Sequence, residues 1–309
     1  MVPTRVLLIL IDGAGIGPAD PARNPFFRAR LASLREILGG EFPSLRKRRV
    51  SGPFASCIPA NAALGVPGLP QSGTGQSALY TGINTARLLG KHFGPYLPSD
   101  LKPVVAECNL FARALRAGIP RRCITLANAF PRRFFEYLES GARRFAAGMF
   151  AARSSGIPFR DASLLRQRQA VSTDITGTRW KELGHPDIPV VSPREAGYVL
   201  ASLANAHRLT LFEFFQTDTA GHRRAMDAAV RLLEDVDEFL GGVFDRLHRS
   251  SIFGIVCGDH GNIEDLSTKS HTRNPAFVLL FGRGHAEAAG RIASLTDIMP
   301  VVMGILERT

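Results

Sequence analysis

The sequence predicts an α/β protein: a three-layer sandwich with a mostly parallel central sheet and helices on both of its faces. Short apolar runs bounded by glycine or aspartate alternate with longer amphipathic stretches along the 309 residues. The runs are apolar throughout, as are strands that are buried on both faces. The composition, 45% hydrophobic and 21% charged, is that of a folded chain, so we expect one domain over residues 1–309.

The short apolar runs are the predicted strands. They cover residues 5–11, 122–128, 209–216, 251–257 and 276–281. The first run continues directly into Asp12 and has no small-residue cleavage site, so we interpret it as a buried strand and not as a signal peptide. No other stretch reaches the length needed to cross a bilayer, and we expect no membrane partner.

The amphipathic stretches are the predicted helices. They cover residues 75–86, 99–117, 193–207, 223–248 and 296–307. Within the fourth of them, Val230, Leu233 and Val236 recur every three residues, and Phe239 and Leu240 continue the pattern. This spacing places them on one face of a helix that covers the sheet.

Residues 130–190 differ from the rest because they combine many arginines and phenylalanines with weak strand signals. Two interpretations stay open. The segment is either a small inserted lid that takes part in ligand selection, or a helical excursion that packs on the sheet edge without such a role. Pro186 and Pro189 mark the return to the core fold.

The formal net charge of +11 raises the question of an anionic partner. Arginines supply most of this charge, and they are scattered in pairs such as Arg121-Arg122 and Arg132-Arg133. A nucleic-acid groove needs charge clustered on one face, together with aromatic platforms or a reading helix. The scatter of the arginines therefore argues against a nucleic-acid partner, and we interpret the run from Arg46 to Arg49 as a solvated turn.

The four cysteines favour a reducing compartment. Cys57, Cys108, Cys123 and Cys257 lack the paired spacing of a metal site. Cys108 and Cys257 lie among apolar neighbours in predicted core elements, so we expect both to be buried and reduced. The cytoplasm is the compartment that such cysteines favour.

Acidic and imidazole side chains stand at the ends of four predicted strands. In chain order they are Asp12, Asp218, His222, Asp259, His260 and His271. Open α/β sheets place their ligands at the carboxyl ends of the strands. Asp12 alone is equally typical of a turn, but turns do not explain why four strand ends carry such groups in a chain with 8 histidines.

This set of side chains suits two divalent cations. Asp218 and His222 are four residues apart, so in a helical turn they share a face and can hold one ion together. Mixed carboxylate and imidazole ligands favour Zn²⁺ or Mn²⁺ over Ca²⁺, which takes oxygen ligands. The set also differs from the cysteine-rich ligands of structural zinc.

A cluster of hydroxyl groups and glycines, from Gln71 to Gly82, opens the first predicted helix. The N-terminus of a helix offers unpaired N–H groups and partial positive charge, which suit a phosphate and favour an alkoxide nucleophile. Serine and glycine are also common helix caps. The cluster alone therefore leaves both a nucleophile and a cap open.

These residues, in this order, resemble the alkaline phosphatase superfamily, and within it the branch of cofactor-independent phosphoglycerate mutase and phosphopentomutase. The resemblance covers about 1–90 and 205–309. It is strongest in Gly258-Asp-His-Gly-Asn-Ile-Glu264 and Ser270-His-Thr-Arg-Asn-Pro275, and Gly221-His-Arg-Arg224 is similar to a phosphopentomutase motif. The resemblance implies an alkaline-phosphatase-like sandwich and a small phosphorylated substrate.

The resemblance also implies a division of the ligands between two ions. The first ion would be held by Asp12, Ser72, Asp259 and His260. Ser72 would also be the nucleophile. The second ion would be held by Asp218, His222 and His271. The branch places its serine or threonine three residues before a glycine, and with Gly75 as that glycine this rule selects Ser72. Thr74 is the alternative nucleophile.

Three further residues are predicted as substrate contacts, because they are near these motifs in the sequence. They are Lys91, Arg273 and Asn274. Sulfatase chemistry is not expected, since it needs Cys-x-Pro-x-Arg and the nearest stretch, Cys57-Ile-Pro-Ala-Asn61, lacks the arginine.

The acceptor of the phosphoryl group depends on how well the site is shielded. The two mutase families carry a substantial inserted cap, whereas only residues 92–190 are available here. We therefore expect a phosphatase or phosphodiesterase, in which water is the acceptor. A phosphomutase acting on a sugar phosphate or phosphoglycerate is the alternative, and a basic nucleic-acid-binding protein with structural ions is the third hypothesis.

Overall fold

The computed structural model describes residues 4–141, 143–248 and 251–307. The strands in these residues are β1 (Arg5–Ile11), β2 (Val50–Ser51), β3 (Ala55–Ala60), β4 (Ile124–Leu126), β5 (Asn128–Ala129), β6 (Val171–Ser172), β7 (Leu209–Phe214), β8 (Ile252–Cys257) and β9 (Ala276–Phe281). The helices are α1 (Ala32–Ile37), α2 (Ser72–Thr81), α3 (Thr85–Leu89), α4 (Lys102–Cys108), α5 (Leu110–Arg116), α6 (Arg132–Glu139), α7 (Ala147–Ser154), α8 (Ala162–Arg166), α9 (Pro193–Ala206), α10 (Gln216–Arg223), α11 (Met226–Arg246), α12 (His285–Ala289) and α13 (Ile298–Leu306).

Seven strands form one sheet in the order β2-β3-β9-β8-β1-β7-β4. The strands β8, β1, β7 and β4 run parallel to one another, whereas β9 is antiparallel to β8 and to β3. The sheet is therefore mostly parallel, as predicted. Its central strands are buried along almost their whole length, which is why they read as unbroken apolar runs.

Helices cover both faces of this sheet, so the predicted three-layer sandwich is confirmed. Alternate side chains of β1 point to opposite faces, where Leu8 and Leu10 join one apolar core while Leu7 and Ile9 join the other. The first core includes residues of α2, α4, α5, α7 and α13. The second includes residues of α1, α9 and α11.

The prediction of one continuous helix over 99–117 is wrong at Asn109. Its backbone is extended, with ψ 161°, and its side chain accepts hydrogen bonds from the N–H groups of Phe111 and Ala112. Asparagine favours this capping role over a helix interior. It therefore ends α4 and begins α5.

Two other predicted helices are also divided where the backbone turns left-handed. The helix predicted over 75–86 begins earlier, at Ser72, and ends at Gly82, whose φ is 72°. The helix predicted over 223–248 is interrupted near its start at Arg224, whose φ is 57°, so that Arg223 ends α10 and α11 begins at Met226. Asp218 and His222 both lie in α10, so the helical turn expected for them is present.

The strands β2 and β3 were not predicted. The sequence of β3, Ala-Ser-Cys-Ile-Pro-Ala, contains Pro59, and β2 is only two residues long. Proline and small residues are poor strand signals. Tertiary pairing of β3 with β9 over Ala55 to Ala60 overrides this local preference.

Residues 128–191 follow β4, which is an edge strand of the main sheet. The strands β5 and β6 form a separate two-stranded sheet, and Trp180, Ala162 and Ile188 belong to a third, smaller apolar cluster. The helix α7 instead joins the main core, where Ala147 and Ala151 are buried. The role of this segment as a lid stays a prediction.

The cysteines and the basic run lie mostly where they were expected. Cys57 and Cys257 are buried and free, whereas Cys108 is free but only half-buried, so the expectation of a buried Cys108 is wrong. The run from Arg46 to Arg49 is exposed and irregular. None of the helices in the described parts of the chain combines the length and apolar character of a bilayer span.

We expect Gly197→Ala to destabilise the fold, because α9 and α11 meet there without room for a side chain. A Cβ at Gly197 would lie 2.1 Å from the carbonyl oxygen of Phe239. Relieving such overlap costs about 1–3 kcal/mol, which exceeds the gain of about 1 kcal/mol in helix propensity. Urea unfolding measures this loss. Gly304→Ala is the matched control and should be neutral or stabilising, since a Cβ at Gly304 would meet only Arg291 Nη2, at 3.8 Å.

Candidate metal centre

Three adjacent strands bring the predicted ligands together. The parallel strands β8, β1 and β7 lie side by side and end at the same edge of the sheet. Asp12 directly follows β1, Asp259 and His260 follow β8, and Asp218 lies in α10 after β7. His271 precedes β9, which runs antiparallel to β8 and therefore starts at this edge.

The first group of side chains surrounds His260. Its Nε2 atom lies 3.2 Å from Asp12 Oδ1, 3.0 Å from Ser72 Oγ and 3.7 Å from Asp259 Oδ1. Ser72 Oγ is in turn 3.4 Å from Asp12 Oδ1. The four side chains are buried. One ligand atom from each of Asp12, Asp259 and His260 lies within 4.8 Å of the others, which is a suitable spacing around one ion.

The second group surrounds Asp218. Its Oδ1 atom is 3.3 Å from His271 Nε2, and its Oδ2 atom is 3.3 Å from His222 Nε2. The two ring nitrogens are 3.2 Å apart. His260 lies between the groups, since its Nε2 is 4.0 Å from Asp218 Oδ1 and its ring stacks on His271. The predicted ligands therefore form one continuous cluster.

Backbone carbonyl groups orient two of the imidazole rings. His222 Nδ1 lies 2.7 Å from the carbonyl oxygen of Lys269, and His271 Nδ1 lies 2.7 Å from that of Pro70. A carbonyl oxygen accepts but cannot donate, so Nδ1 carries the proton. In the neutral ring Nε2 then keeps its lone pair, which it directs toward Asp218. This is the arrangement of histidines that ligate a metal.

The charges of the cluster are unbalanced without cations. Burial, and then the charge of Asp259, raise the pKa of the Asp12 carboxyl well above its usual range. Burial alone would lower the pKa of His260, but Asp259 and Asp12 outweigh it and raise that pKa to about 10. A proton held on His260 therefore offsets part of the negative charge, and a divalent cation would replace that proton.

Ser72 and Thr74 occupy different positions, although they are two residues apart. The Ser72 hydroxyl points into the ligand cluster. The Thr74 hydroxyl instead contacts the carbonyl oxygens of Gln71 and Phe93 and accepts a hydrogen bond from the N–H of Phe93. The structure thus brings Ser72, and not Thr74, next to the predicted ligands.

Three supporting residues were given no role from the sequence. Gln76 Nε2 donates to both Asp12 and Asp259, and Asn262 Nδ2 donates to Asp218 Oδ1 at 2.6 Å. Glu264 is fully buried and accepts from the backbone N–H of Asn262. The spacing of four between Ser72 and Gln76 was a usable signal, because residues at that spacing share a helix face.

The three predicted substrate contacts have different surroundings. Lys91 and Gln71 are among the residues that line an open cavity of about 460 Å³, and Gln71 directly precedes Ser72 in the chain. Arg273 is exposed near His92, whose pKa is lowered by burial and also by the charge of Arg273. Asn274 instead donates to Glu264 Oε1 at 3.0 Å, so its amide supports the loop that carries the ligands.

A buried carboxyl behind the cluster has an unusual pKa. Glu213 of β7 accepts a hydrogen bond from the Tyr80 hydroxyl at 2.6 Å. Burial raises the pKa of Glu213 to about 7; the bond from Tyr80 opposes this rise and the charge of Asp259 adds to it. Since the folded protein holds this proton more tightly than the unfolded chain, the stability from Glu213 is fully present below about pH 4.5 and is lost as the pH rises through about 7.

We therefore expect Glu213→Gln to become more stable relative to the native chain as the pH rises. Glutamine stays neutral and still accepts the hydrogen bond from Tyr80. The relative gain between pH 5 and pH 8 should be about 3 kcal/mol, measured by urea unfolding at each pH. The exposed residue Glu139 provides the control: Glu139→Gln should follow the native profile. A native profile for Glu213→Gln as well would contradict this explanation.

Comparison with known proteins connects this geometry to a family. The sequence profile of the Metalloenzyme superfamily matches residues 192–308, which contain five of the predicted ligands. The predicted resemblance is confirmed. Solved structures with a similar fold include alkaline phosphatase from the Antarctic bacterium TAB5, with a TM-score of 0.55, 14% identity, and coverage of 99% of each chain. The PH0037 protein from Pyrococcus horikoshii has a TM-score of 0.58 at 13% identity, covering 100% of this chain and 98% of that one.

Curated relatives of this chain are named 2,3-bisphosphoglycerate-independent phosphoglycerate mutase. The protein from Haloarcula marismortui is 33% identical over 142 residues, which cover 38% of this chain and 27% of the relative. That from Desulforudis audaxviator is 29% identical over 124 residues, covering 38% and 24%. The chain spans about a quarter of the length of the curated relatives it matches.

Proposed function

We propose that this protein is a two-metal-dependent phosphoryl-transfer enzyme, and that it is a phosphatase or phosphodiesterase with Ser72 as its nucleophile. One observation carries the proposal. The Ser72 hydroxyl lies at the start of α2, within 3.4 Å of both Asp12 Oδ1 and His260 Nε2, in a cluster of three carboxylates and three imidazoles. A hydroxyl so placed is a nucleophile next to the groups that would activate it.

The side chains present fit two divalent cations. The first would be held by Asp12, Ser72, Asp259 and His260, and the second by Asp218, His222 and His271. When bound, such a pair of cations lowers the pKa of a hydroxyl and neutralises the charge on a transferring phosphoryl group. The mixture of carboxylate and imidazole ligands favours Zn²⁺ or Mn²⁺.

The residues of the chain then divide the work of phosphoryl transfer. Ser72 attacks the phosphorus and becomes phosphorylated as the alcohol of the substrate leaves. Lys91 and the cavity of about 460 Å³ beside it hold that alcohol, and Arg273 supplies positive charge for the phosphate. Positioning and charge account for most of the catalysis of phosphoryl transfer.

Exposure of the site supports water as the acceptor. The His222 side chain is 44% exposed, so solvent reaches one side of the cluster. Among the described residues, no hydrogen bond or ion pair joins the seven predicted ligands to residues 130–190. An open site lets water discharge the phosphorylated serine.

A phosphomutase is the second candidate, because the curated relatives bear that name. In this case an acceptor hydroxyl, and not water, would receive the phosphoryl group from Ser72. The substrate that has given its phosphoryl group to Ser72 would then have to stay bound in the site until it receives the group back. Because the match covers about a quarter of the relatives' length, an assay must distinguish the mutase reaction from hydrolysis.

A panel of phosphoesters tests the proposal. The purified protein, loaded with Mn²⁺ or Zn²⁺, is assayed on p-nitrophenyl phosphate, on bis(p-nitrophenyl) phosphate and on phosphoglycerate. A phosphatase releases free phosphate from a monoester, a phosphodiesterase releases nitrophenol from the diester, and a mutase forms the phosphoglycerate isomer without free phosphate. No turnover of any of the three, by protein that holds its ions, would overturn the proposal.

A further inference from the structure

Gln76 makes an unusual pair of contacts beside the first group of ligands. Its side chain is buried, with 1% exposure. The Nε2 atom donates to Asp259 Oδ2 at 2.9 Å and to Asp12 Oδ2 at 3.3 Å. One amide group thus ties together one oxygen of each of two carboxylates that otherwise repel each other.

The fold forces this contact. Gly75 lies against the loop after β8, where a Cβ would be 2.7 Å from the carbonyl oxygen of Asp259. The close approach places the next residue, Gln76, between the two acids. Ser72 and Gln76 are four residues apart on α2, so the hydroxyl and the amide meet the cluster from the same helix face.

The charges fix which end of the amide faces the carboxylates. Only the NH₂ group can donate, and an amide oxygen in its place would face two negative charges. The Oε1 atom of Gln76 is buried and has no hydrogen-bond partner among the described residues. Leaving a buried acceptor unpaired costs roughly 1–3 kcal/mol, so the amide is held there at the expense of stability.

The consequence concerns the two remaining oxygens. With both Oδ2 atoms engaged by Gln76, Asp12 and Asp259 each present Oδ1 toward His260 Nε2, at 3.2 Å and 3.7 Å. Asp259 Oδ1 also accepts a hydrogen bond from the N–H of Gly13 at 3.1 Å, which holds this oxygen in place and leaves it a lone pair for a cation. Together with Ser72 Oγ, the group then offers four donor atoms. Four ligands suit Zn²⁺, whereas cations that prefer six or more oxygens gain from carboxylates that bind through both oxygens.

We propose that Gln76 is a positioning residue that restricts Asp12 and Asp259 to one ligand oxygen each, and thereby selects a four-coordinate cation at the first site. The inference rests on the proposed function, because it requires that the cluster hold ions. It adds a determinant of cation choice that lies outside the ligand set.

Gln76→Leu keeps the volume of the side chain and removes its donor. Affinities of Zn²⁺ and Mn²⁺ are measured by chelator competition, in an Asp218→Asn background that leaves the first group intact. We expect the variant to bind Zn²⁺ about 10–100-fold more weakly, with a smaller loss for Mn²⁺, so that the preference for Zn²⁺ falls. The absorption of bound Co²⁺ should also change from a tetrahedral to a higher-coordinate spectrum.

The controls separate a positioning role from a structural one. A structural role would lower the unfolding temperature while leaving the Zn²⁺-to-Mn²⁺ ratio and the Co²⁺ spectrum as they were, and this result would overturn the inference. The exposed residue Gln167 provides the comparison, because Gln167→Ala should change neither quantity. If the leucine variant does not fold, the native protein crystallised with Zn²⁺ decides the question. Both carboxylates should bind through one oxygen, and bidentate binding by either would contradict the inference.

These measurements use no substrate, so they distinguish two failures. If the native protein binds no cation at the cluster, both the proposed function and the inference are refuted. If the native protein binds its cations and Gln76→Leu leaves their affinities unchanged, only the inference is refuted.

Discussion

Replacing Ser72 by alanine is expected to lower kcat on every phosphoester that the protein turns over by at least about a thousandfold. The hydroxyl is the group that would carry the phosphoryl group. The next hydroxyl along α2, that of Thr74, is not placed to replace it, because it is held by the backbone of Gln71 and Phe93. Steady-state release of phosphate or nitrophenol measures the loss.

The matched control for this prediction is Thr74→Ser, which keeps the hydroxyl and its hydrogen bonds. It should retain kcat within about threefold and lose at most about 1 kcal/mol of stability. Mass spectrometry after an acid quench should find a phosphoryl group on Ser72 in the native protein. A Ser72→Ala variant with native turnover, or a phosphoryl group on Thr74, would refute the assignment of the nucleophile.

Replacing Asp259 by asparagine should abolish activity without weakening the metal-free fold. Asparagine is the same size and keeps one oxygen, but it removes a negative charge that a cation at the first site needs. Loss of that cation should lower kcat/KM by at least about a thousandfold. In the metal-free protein the same change relieves Asp12, whose pKa is raised by burial and by the charge of Asp259. This relief offsets the loss of one hydrogen bond, since an asparagine oxygen can accept from only one of the two donors to Asp259, the N–H of Gly13 and Gln76 Nε2.

The two effects are measured separately. Phosphoester turnover and the metal content after dialysis report on the site, while urea unfolding in chelator reports on the fold. In chelator, the free energies of unfolding of the native and variant proteins should agree within about 1 kcal/mol. Added Zn²⁺ should strongly stabilise only the native protein. An active variant, or a metal-free variant that is several kcal/mol less stable, would show that Asp259 is structural.

The sandwich and most of the cluster were predictable because each depends on local signals. Strands buried on both faces appear as unbroken apolar runs, and Asp12, Asp259 and His260 come directly after such runs. The parallel arrangement then brings them to one edge. His271 also reaches this edge, although it precedes its strand, because β9 runs antiparallel to β8.

Other features depend on contacts between distant segments, which no local pattern shows. The strand β3 forms through pairing with β9, more than 200 residues away, and contains Pro59. Gln76 meets Asp259 across 183 residues. In the sequence only its spacing of four from Ser72 pointed to the site, and its contact with the two carboxylates follows from where α2 lies.

The break between α4 and α5 at Asn109, in contrast, depends on a local signal. The asparagine was visible in the sequence, but the apolar pattern on both sides of it favoured a single helix. Its capping bonds to the N–H groups of Phe111 and Ala112 decide the matter locally. A search for capping residues within predicted helices would have found this break.

The stoichiometry of bound divalent cation tests the central claim most directly. Protein stripped with chelator is titrated with Zn²⁺ or Mn²⁺, and the bound metal is quantified by calorimetry and elemental analysis. The cluster of Asp12, Ser72, Asp259 and His260 beside Asp218, His222 and His271 predicts two equivalents in the native protein and no more than one in Asp259→Asn. A native protein that binds no divalent cation, or that binds a single one unaffected by Asp259→Asn, would contradict the account.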